Sequence, residues 1–216
     1  MSKVVVLRPE PGASATLARA KAAGIDAVAV PLFEVIPIDW TAPPASDFDA
    51  ILLTSANAAR HGGPGLAELR ALPAYCVGET TAAAARDVGL YVAGTGASGA
   101  SALIDQVPDG LRLLHLTGVD HQPIPGVTEI AAYDSRAIEP PPSLAELHGG
   151  VALVHSARAG QRLAELVEGR ADIAIAAISA AAAEACGGGW RSVKSIKDPA
   201  DGALLALAAE LCQDRP

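Results

Sequence analysis

Apolar runs without a polar interruption recur along the chain, at Val4–Leu7, Ala27–Val30, Ala50–Leu53 and Val151–Val154. Each is too short for a helix and reads as a strand buried on both faces. Alanine-rich stretches of mixed polarity separate the runs and predict helices. The first spans Ser14 to Ala23 and is closed by Gly24, a residue suited to ending a helix. Further on, strands are expected near 50–54, 74–77 and 90–93, and helices near 56–70, 80–88 and 99–107. Strands alternating with helices predict right-handed crossovers and a parallel sheet covered on both sides.

The pattern repeats. Ala50-Ile51-Leu52-Leu53-Thr54-Ser55-Ala56 aligns with Val151-Ala152-Leu153-Val154-His155-Ser156-Ala157, an offset of 101 residues (Ser55 to Ser156). The same offset carries Val77-Gly78 with Ala82 onto Ile178-Ser179 with Ala183, and Ala102-Leu103 onto Ala203-Leu204. Each copy reads as strand, helix, strand, helix, short strand, helix. The opening βαβ unit has no counterpart before the second copy, so residues 1–34 are expected to join it. The expected fold class is α/β, with two similar domains of parallel sheets flanked by helices. A discontinuous domain 1 covers 1–34 and 138–216, and domain 2 covers 38–131. A two-stranded hinge at 35–37 and 132–137 joins them, drawn from the proline-punctuated segments Phe33 to Asp39 and Tyr133 to Pro142. A cleft between the domains is the expected consequence.

Composition narrows the function. Half the residues are hydrophobic and 3% aromatic, so the core must be built from Ala, Val, Leu and Ile. A net charge of −8 and a pI near 5.0 argue against nucleic acid as a partner. Met1 to Pro9 lacks a signal-peptide core, and the most apolar stretch, Ile173 to Ala183, is shorter than a membrane span. The expectation is a cytoplasmic protein without a membrane partner. Cys76, Cys186 and Cys212 have neither the even count of a disulfide set nor zinc-site spacing, and are expected to be reduced and buried. A Cys76–Cys186 acid/base pair is disfavoured by their places in a strand and late in a helix. The histidines His61, His115, His121, His148 and His155 show no paired metal-ligand spacing, and solvated or packed roles are expected. Gly94-Thr95-Gly96-Ala97-Ser98-Gly99 fits a dinucleotide fingerprint, but its repeat partner, Ser195 to Ala200, has no glycine. A loop reading covers both copies.

Ligands of open parallel sheets gather at the carboxyl ends of the strands. Here those ends are Arg8-Pro9-Glu10-Pro11-Gly12, Thr54-Ser55-Ala56-Asn57, Gly78-Glu79-Thr80-Thr81-Ala82 and His155-Ser156-Ala157-Arg158. Such residues also supply ordinary helix caps and turns.

Arg8-Pro9, Pro31-Leu32 with Glu34, Thr54-Ser55-Ala56-Asn57-Ala58, Val77 to Ala82, the Ala-Ala-Tyr133 strand ending and Ile178 to Glu184 together resemble the uroporphyrinogen-III synthase family. The resemblance implies a two-domain enzyme, a cyclising hydro-lyase that needs no cofactor and no metal. Its implied substrate is hydroxymethylbilane, a linear tetrapyrrole with eight carboxylates, closed with loss of water and inversion of ring D. It further implies a cytoplasmic monomer that receives substrate by transient handover from hydroxymethylbilane synthase. Tyr133 is the implied catalytic residue, near the departing hydroxyl, with packing as its alternative role. Ser55, Asn57, Thr81 and Ser156 match substrate-lining positions. Arg8 matches the family's strand-end arginine, which would otherwise tie its own loop to the sheet. Helix N-termini around the cleft would hold carboxylates without a basic patch. A non-catalytic tetrapyrrole binder of the same fold is the alternative function. The chain departs from the family at Ala180 to Ala182, where threonines are usual, at His155 in place of Thr, and at Gly118 to Thr128. The last segment is short and carries His121, Pro123 and Pro125 where a crossover helix is expected.

Overall fold

The computed structural model describes residues 3–96, 103–104 and 107–214. They divide into two compact units, one formed by residues 1–34 with 136–216 and the other by 35–135.

The first unit holds a parallel five-stranded sheet. Its strands are β1 (Val4–Val6), β2 (Ala27–Ala29), β9 (Val151–Val154), β10 (Ala174–Ala177) and β11 (Ser192–Ser195), in the order β11-β10-β9-β1-β2. Four helices cover it: α1 (Gly12–Ala22), α5 (Ala157–Leu166), α6 (Ala180–Ala185) and α7 (Asp201–Gln213). Strand residues alternate between two cores. Val4, Val6, Leu153 and Ala176 face Ala20, Leu204 and Leu211 of α1 and α7, whereas Val5, Val154 and Ile175 face Leu163 and Ala182 of α5 and α6. Small residues set the spacing of α5 against α6, since a Cβ on Gly160 would fall 2.8 Å from the Ala182 carbonyl. Burial pushes the Cys186 thiol up to about 11.

The second unit holds a sheet ordered β3-β8-β7-β4-β5-β6. These strands are β3 (Phe33–Pro37), β4 (Ala50–Leu53), β5 (Ala74–Val77), β6 (Val92–Gly96), β7 (Leu113–Gly118) and β8 (Thr128–Ala137). Its main core packs Ile51, Leu53, Leu114 and Leu116 under α2 (Ala56–His61), α3 (Gly63–Glu68) and α4 (Glu79–Asp87). Both chain passages between the units fall within β3 and β8, which are neighbours in this sheet.

Two expectations are corrected. The helix expected over 56–70 is two helices, because Gly63 adopts a positive φ of 58° and Pro64 has no N–H to continue the first. Trp40 Nε1 donates to the Gly62 carbonyl at that break, 3.0 Å away. Gly94, Thr95 and Gly96, expected in a loop, lie in β6, where they pair with Tyr75, Cys76 and Val77; Ala97 to Gly99 lie outside the described residues. Most of the helix expected over 99–107 also lies outside them, although Leu103 and Ile104 are helical and Leu103 is fully buried. No described helix is long and apolar enough to cross a membrane.

Candidate active site

In each sheet the chain reverses its winding between two adjacent strands, and the crevice at their carboxyl ends is where an open α/β sheet presents ligand-binding loops. In the first unit that place lies between β1 and β9, and in the second between β4 and β7.

At the first crevice a single carboxylate gathers the polar side chains. Asp201, the first residue of α7, accepts hydrogen bonds from Thr16 Oγ1 (2.9 Å), Arg19 Nη1 (2.8 Å) and His155 Nε2 (2.9 Å), and Arg8 Nη1 lies 3.6 Å away. Burial pushes the Asp201 carboxyl up, but donation from His155 and Thr16 and the charges around it outweigh this and leave it below its ordinary value. His155 is pulled down chiefly by burial, against the pull of Asp201. Its Nδ1 is enclosed without a hydrogen-bond partner, and the contact of Nε2 with Asp201 suits a neutral ring protonated on Nε2. Burial also lowers Arg8, and its guanidinium lies across α1, where a Cβ on Gly12 would meet Nε at 2.4 Å. Arg8 thus ties its loop to the last helix while its side chain stays 34% exposed.

Three strand-end serines cap the helices that follow. Ser55 Oγ accepts from the Asn57 N–H (3.2 Å), Ser156 Oγ from the Ala159 N–H (3.1 Å) and Ser179 Oγ from the Ala182 N–H (3.2 Å). Capping uses an oxygen lone pair and leaves each O–H free to donate. Ser156 is exposed, and Ser55 and Asn57 are half-buried at the start of α2. Thr81 is covered, 5% exposed, whereas its neighbour Thr80 is exposed.

At the second crevice Tyr133 is half-buried in β8. Its ring packs over Gly118 at the end of β7, and its centroid lies 6.3 Å from that of His61. His61 also lines a groove of about 390 Å³ with Pro37, Trp40, Gly65 and Glu68. Burial, reinforced by Arg60, pulls the His61 ring down.

A polar network around His115 was not expected from the sequence. Thr54 Oγ1 lies 2.9 Å from His115 Nε2, His115 Nδ1 lies 3.0 Å from Glu129 Oε1, and His121 Nε2 lies 3.1 Å from Glu129 Oε2. Glu129 also accepts from the Ile124 N–H (3.1 Å). The carboxylate therefore folds back residues 119–127, a connection without a helix that joins the parallel strands β7 and β8. The clue in the sequence was His115 inside the apolar strand Leu113-Leu114-His115-Leu116, since a buried polar group needs a partner. Four of the five histidines expected in solvated or packed roles, His115, His121, His148 and His155, lie within 4.0 Å of a carboxylate. Among the described residues no three His, Cys, Asp or Glu side chains are grouped to hold a metal ion.

Residues 14–206 match the model of the family described as uroporphyrinogen-III synthase HemD. Among solved structures, the chain is similar to uroporphyrinogen-III synthetase from Helicobacter pylori, with 17% identity, a TM-score of 0.69 and coverage of 98% of this chain and 100% of that one. It is also similar to a mutant uroporphyrinogen III synthase from the extremely thermophilic bacterium Thermus thermophilus, with 15% identity, a TM-score of 0.54 and coverage of 100% of both chains. At these identities the likeness speaks for the fold. No curated protein matches the chain.

Proposed function

Because the chain belongs to the uroporphyrinogen-III synthase family, we propose that it closes hydroxymethylbilane to uroporphyrinogen III, losing water and inverting ring D. The family match over nearly the whole chain carries this reading. The two units act as domains, 1–34 with 138–216 and 38–131, flexing at 35–37 and 132–137.

The reaction needs a hydroxide to leave a hydroxymethyl carbon. The Tyr133 phenol donates a hydrogen bond to that oxygen as the C–O bond breaks. The departing hydroxide is balanced by the proton that the pyrrole ring bearing that carbon gives up from its nitrogen, so that water is lost overall and a neutral azafulvene remains. The azafulvene left behind is attacked by the substituted carbon of ring D, giving a spiro intermediate whose fragmentation and recombination invert the ring. The phenol keeps its proton through the step, so the help is a stabilising contact rather than full proton transfer.

An acidic chain must also hold an octacarboxylate. The O–H groups of Ser55 and Ser156, the Asn57 amide and the N–H groups opening α4 and α5 supply donors and partial positive charge without a basic patch. Thr81 and the exposed part of Arg8 complete the set. The substrate arrives in the cytoplasm by handover from hydroxymethylbilane synthase to a monomer of this chain.

Following the disappearance of freshly made hydroxymethylbilane tests the reading. Many turnovers per protein molecule, well above the spontaneous rate, are expected. A protein that only binds tetrapyrroles would instead slow the spontaneous closure in proportion to its concentration.

A further inference from the structure

We infer that His115 is a positioning residue that turns the Thr54 hydroxyl into a hydrogen-bond acceptor for a pyrrole N–H of the substrate. This rests on the function proposed above.

Glu129 receives Ile124 N–H, His121 Nε2 and His115 Nδ1 at 3.0–3.1 Å. A carboxylate so surrounded accepts only, so His115 must carry its proton on Nδ1. The opposite nitrogen is then settled by charge. The His115 ring is 2% exposed, and burial lowers its pKa despite Glu129, with His121 lowering it further. A neutral ring protonated on Nδ1 leaves a lone pair on Nε2, and the partner facing it is Thr54 Oγ1 at 2.9 Å. Thr54 must therefore donate its single proton inward.

His121 holds the other end. Its Nδ1 faces the Gly118 carbonyl at 2.9 Å and its Nε2 faces Glu129. Both neighbours are acceptors, so both nitrogens carry protons and the ring is a cation. That cation keeps Glu129 ionised and the tautomer of His115 locked. The ionisable groups around His115 are thus Glu129 on β8 and His121 on the 119–127 connection, whose ring stands edge-on at 6.1 Å; β4 contributes the neutral Thr54.

The consequence falls at the strand end. Thr54 closes β4 at the crevice beside β7, half-buried, one residue before the Ser55 cap. With its proton committed to His115, the oxygen offers outward lone pairs only. It rejects a carboxylate and suits an N–H donor, whereas Ser55 next to it keeps an O–H for a carboxylate. Adjacent hydroxyls thereby read the two different polar groups of a tetrapyrrole, ring N–H and side-chain carboxylate.

Two measurements on the full chain test the assignment. In ¹⁵N-histidine NMR at neutral pH, His115 is expected as a neutral ring with a protonated Nδ1 and a bare Nε2. A protonated Nε2 on His115 overturns the proposal, whatever the activity. In kinetics, Thr54→Val is expected to raise KM for hydroxymethylbilane about tenfold with little change in kcat, the size of one lost hydrogen bond. Thr54→Ser should retain the wild-type KM. His115→Leu should raise KM to the same extent, and the Thr54→Val/His115→Leu double variant no further, because both act through one contact. Additive effects, or a wild-type KM in Thr54→Val, contradict it. A wild-type chain without turnover defeats the proposed function instead, and the NMR result still separates the two failures.

Discussion

The ring of Tyr133 occupies the space that Gly118 leaves open: a Cβ at 118 would stand 2.8 Å from Cε2 and Cζ and 3.1 Å from the phenolic oxygen. The absence of a side chain at the end of β7 therefore sets where the phenol lies. His121, in the connection that follows β7, holds the Gly118 carbonyl through its Nδ1.

Tyr133→Phe removes one oxygen and keeps the ring on Gly118. Turnover is expected to fall about tenfold to a thousandfold with little change in KM, as for a contact made mainly in the transition state. Uninverted isomer I should appear as spontaneous closure competes. Full activity with pure isomer III in the Phe variant would leave Tyr133 a packing residue.

Asp201→Asn removes the charge that holds Arg8, Arg19, Thr16 and His155 together. A loss of about 2 kcal/mol in unfolding free energy is expected, since the partners are left partly unsatisfied. Wild-type stability should also decline in acid. The folded pKa of His155 lies below its unfolded value of about 6.5, so its contribution is complete above that pH and is lost as pH falls from it toward the folded value. Asp201 adds a second loss only below about pH 4, as pH falls through its own depressed value. Melting curves of His155→Gln should keep the second loss and lack the first; an unchanged acid branch would rule out this linkage.

His121 works in the opposite sense. Partial burial lowers its pKa, but contacts with Glu129 and the Val119 and Gly118 carbonyls raise it further, so the folded value lies above about 6.5. Its stabilisation is complete below that pH and is lost as pH rises through the folded value. His121→Gln should flatten the alkaline side of the stability profile. If the variant and wild type decline in parallel there, His121 is not the titrating group.

Thr81→Val keeps shape while deleting a hydroxyl. KM is expected to rise about threefold to tenfold with folding stability nearly unchanged. Lost stability with an unchanged KM would make Thr81 a core residue of α4 and move the contact to exposed Thr80.

The parallel α/β class was legible because β1, β4, β9 and β10 are unbroken apolar runs, each followed within two residues by a cap or turn residue and then a helix. The serine caps were legible for the same reason: Ser55, Ser156 and Ser179 bond to N–H groups two or three residues ahead. The polar clusters were not. Thr16 meets Asp201 across 185 residues, and His115 meets Glu129 only because β7 and β8 pair in that register. The apolar strand around His115 shows that the ring needs a partner, but position along the chain does not show which one in either cluster. The break between α2 and α3 was written locally in Gly62-Gly63-Pro64-Gly65, which the single helix expected over 56–70 ran across.

The isomer composition of the product decides whether this chain catalyses ring closure with inversion. Protein dialysed extensively against a metal chelator, given hydroxymethylbilane alone, should yield uroporphyrinogen III as nearly the whole product at many turnovers. Isomer I in the proportion formed by buffer, or isomer III only after a metal or nucleotide is returned, would contradict it.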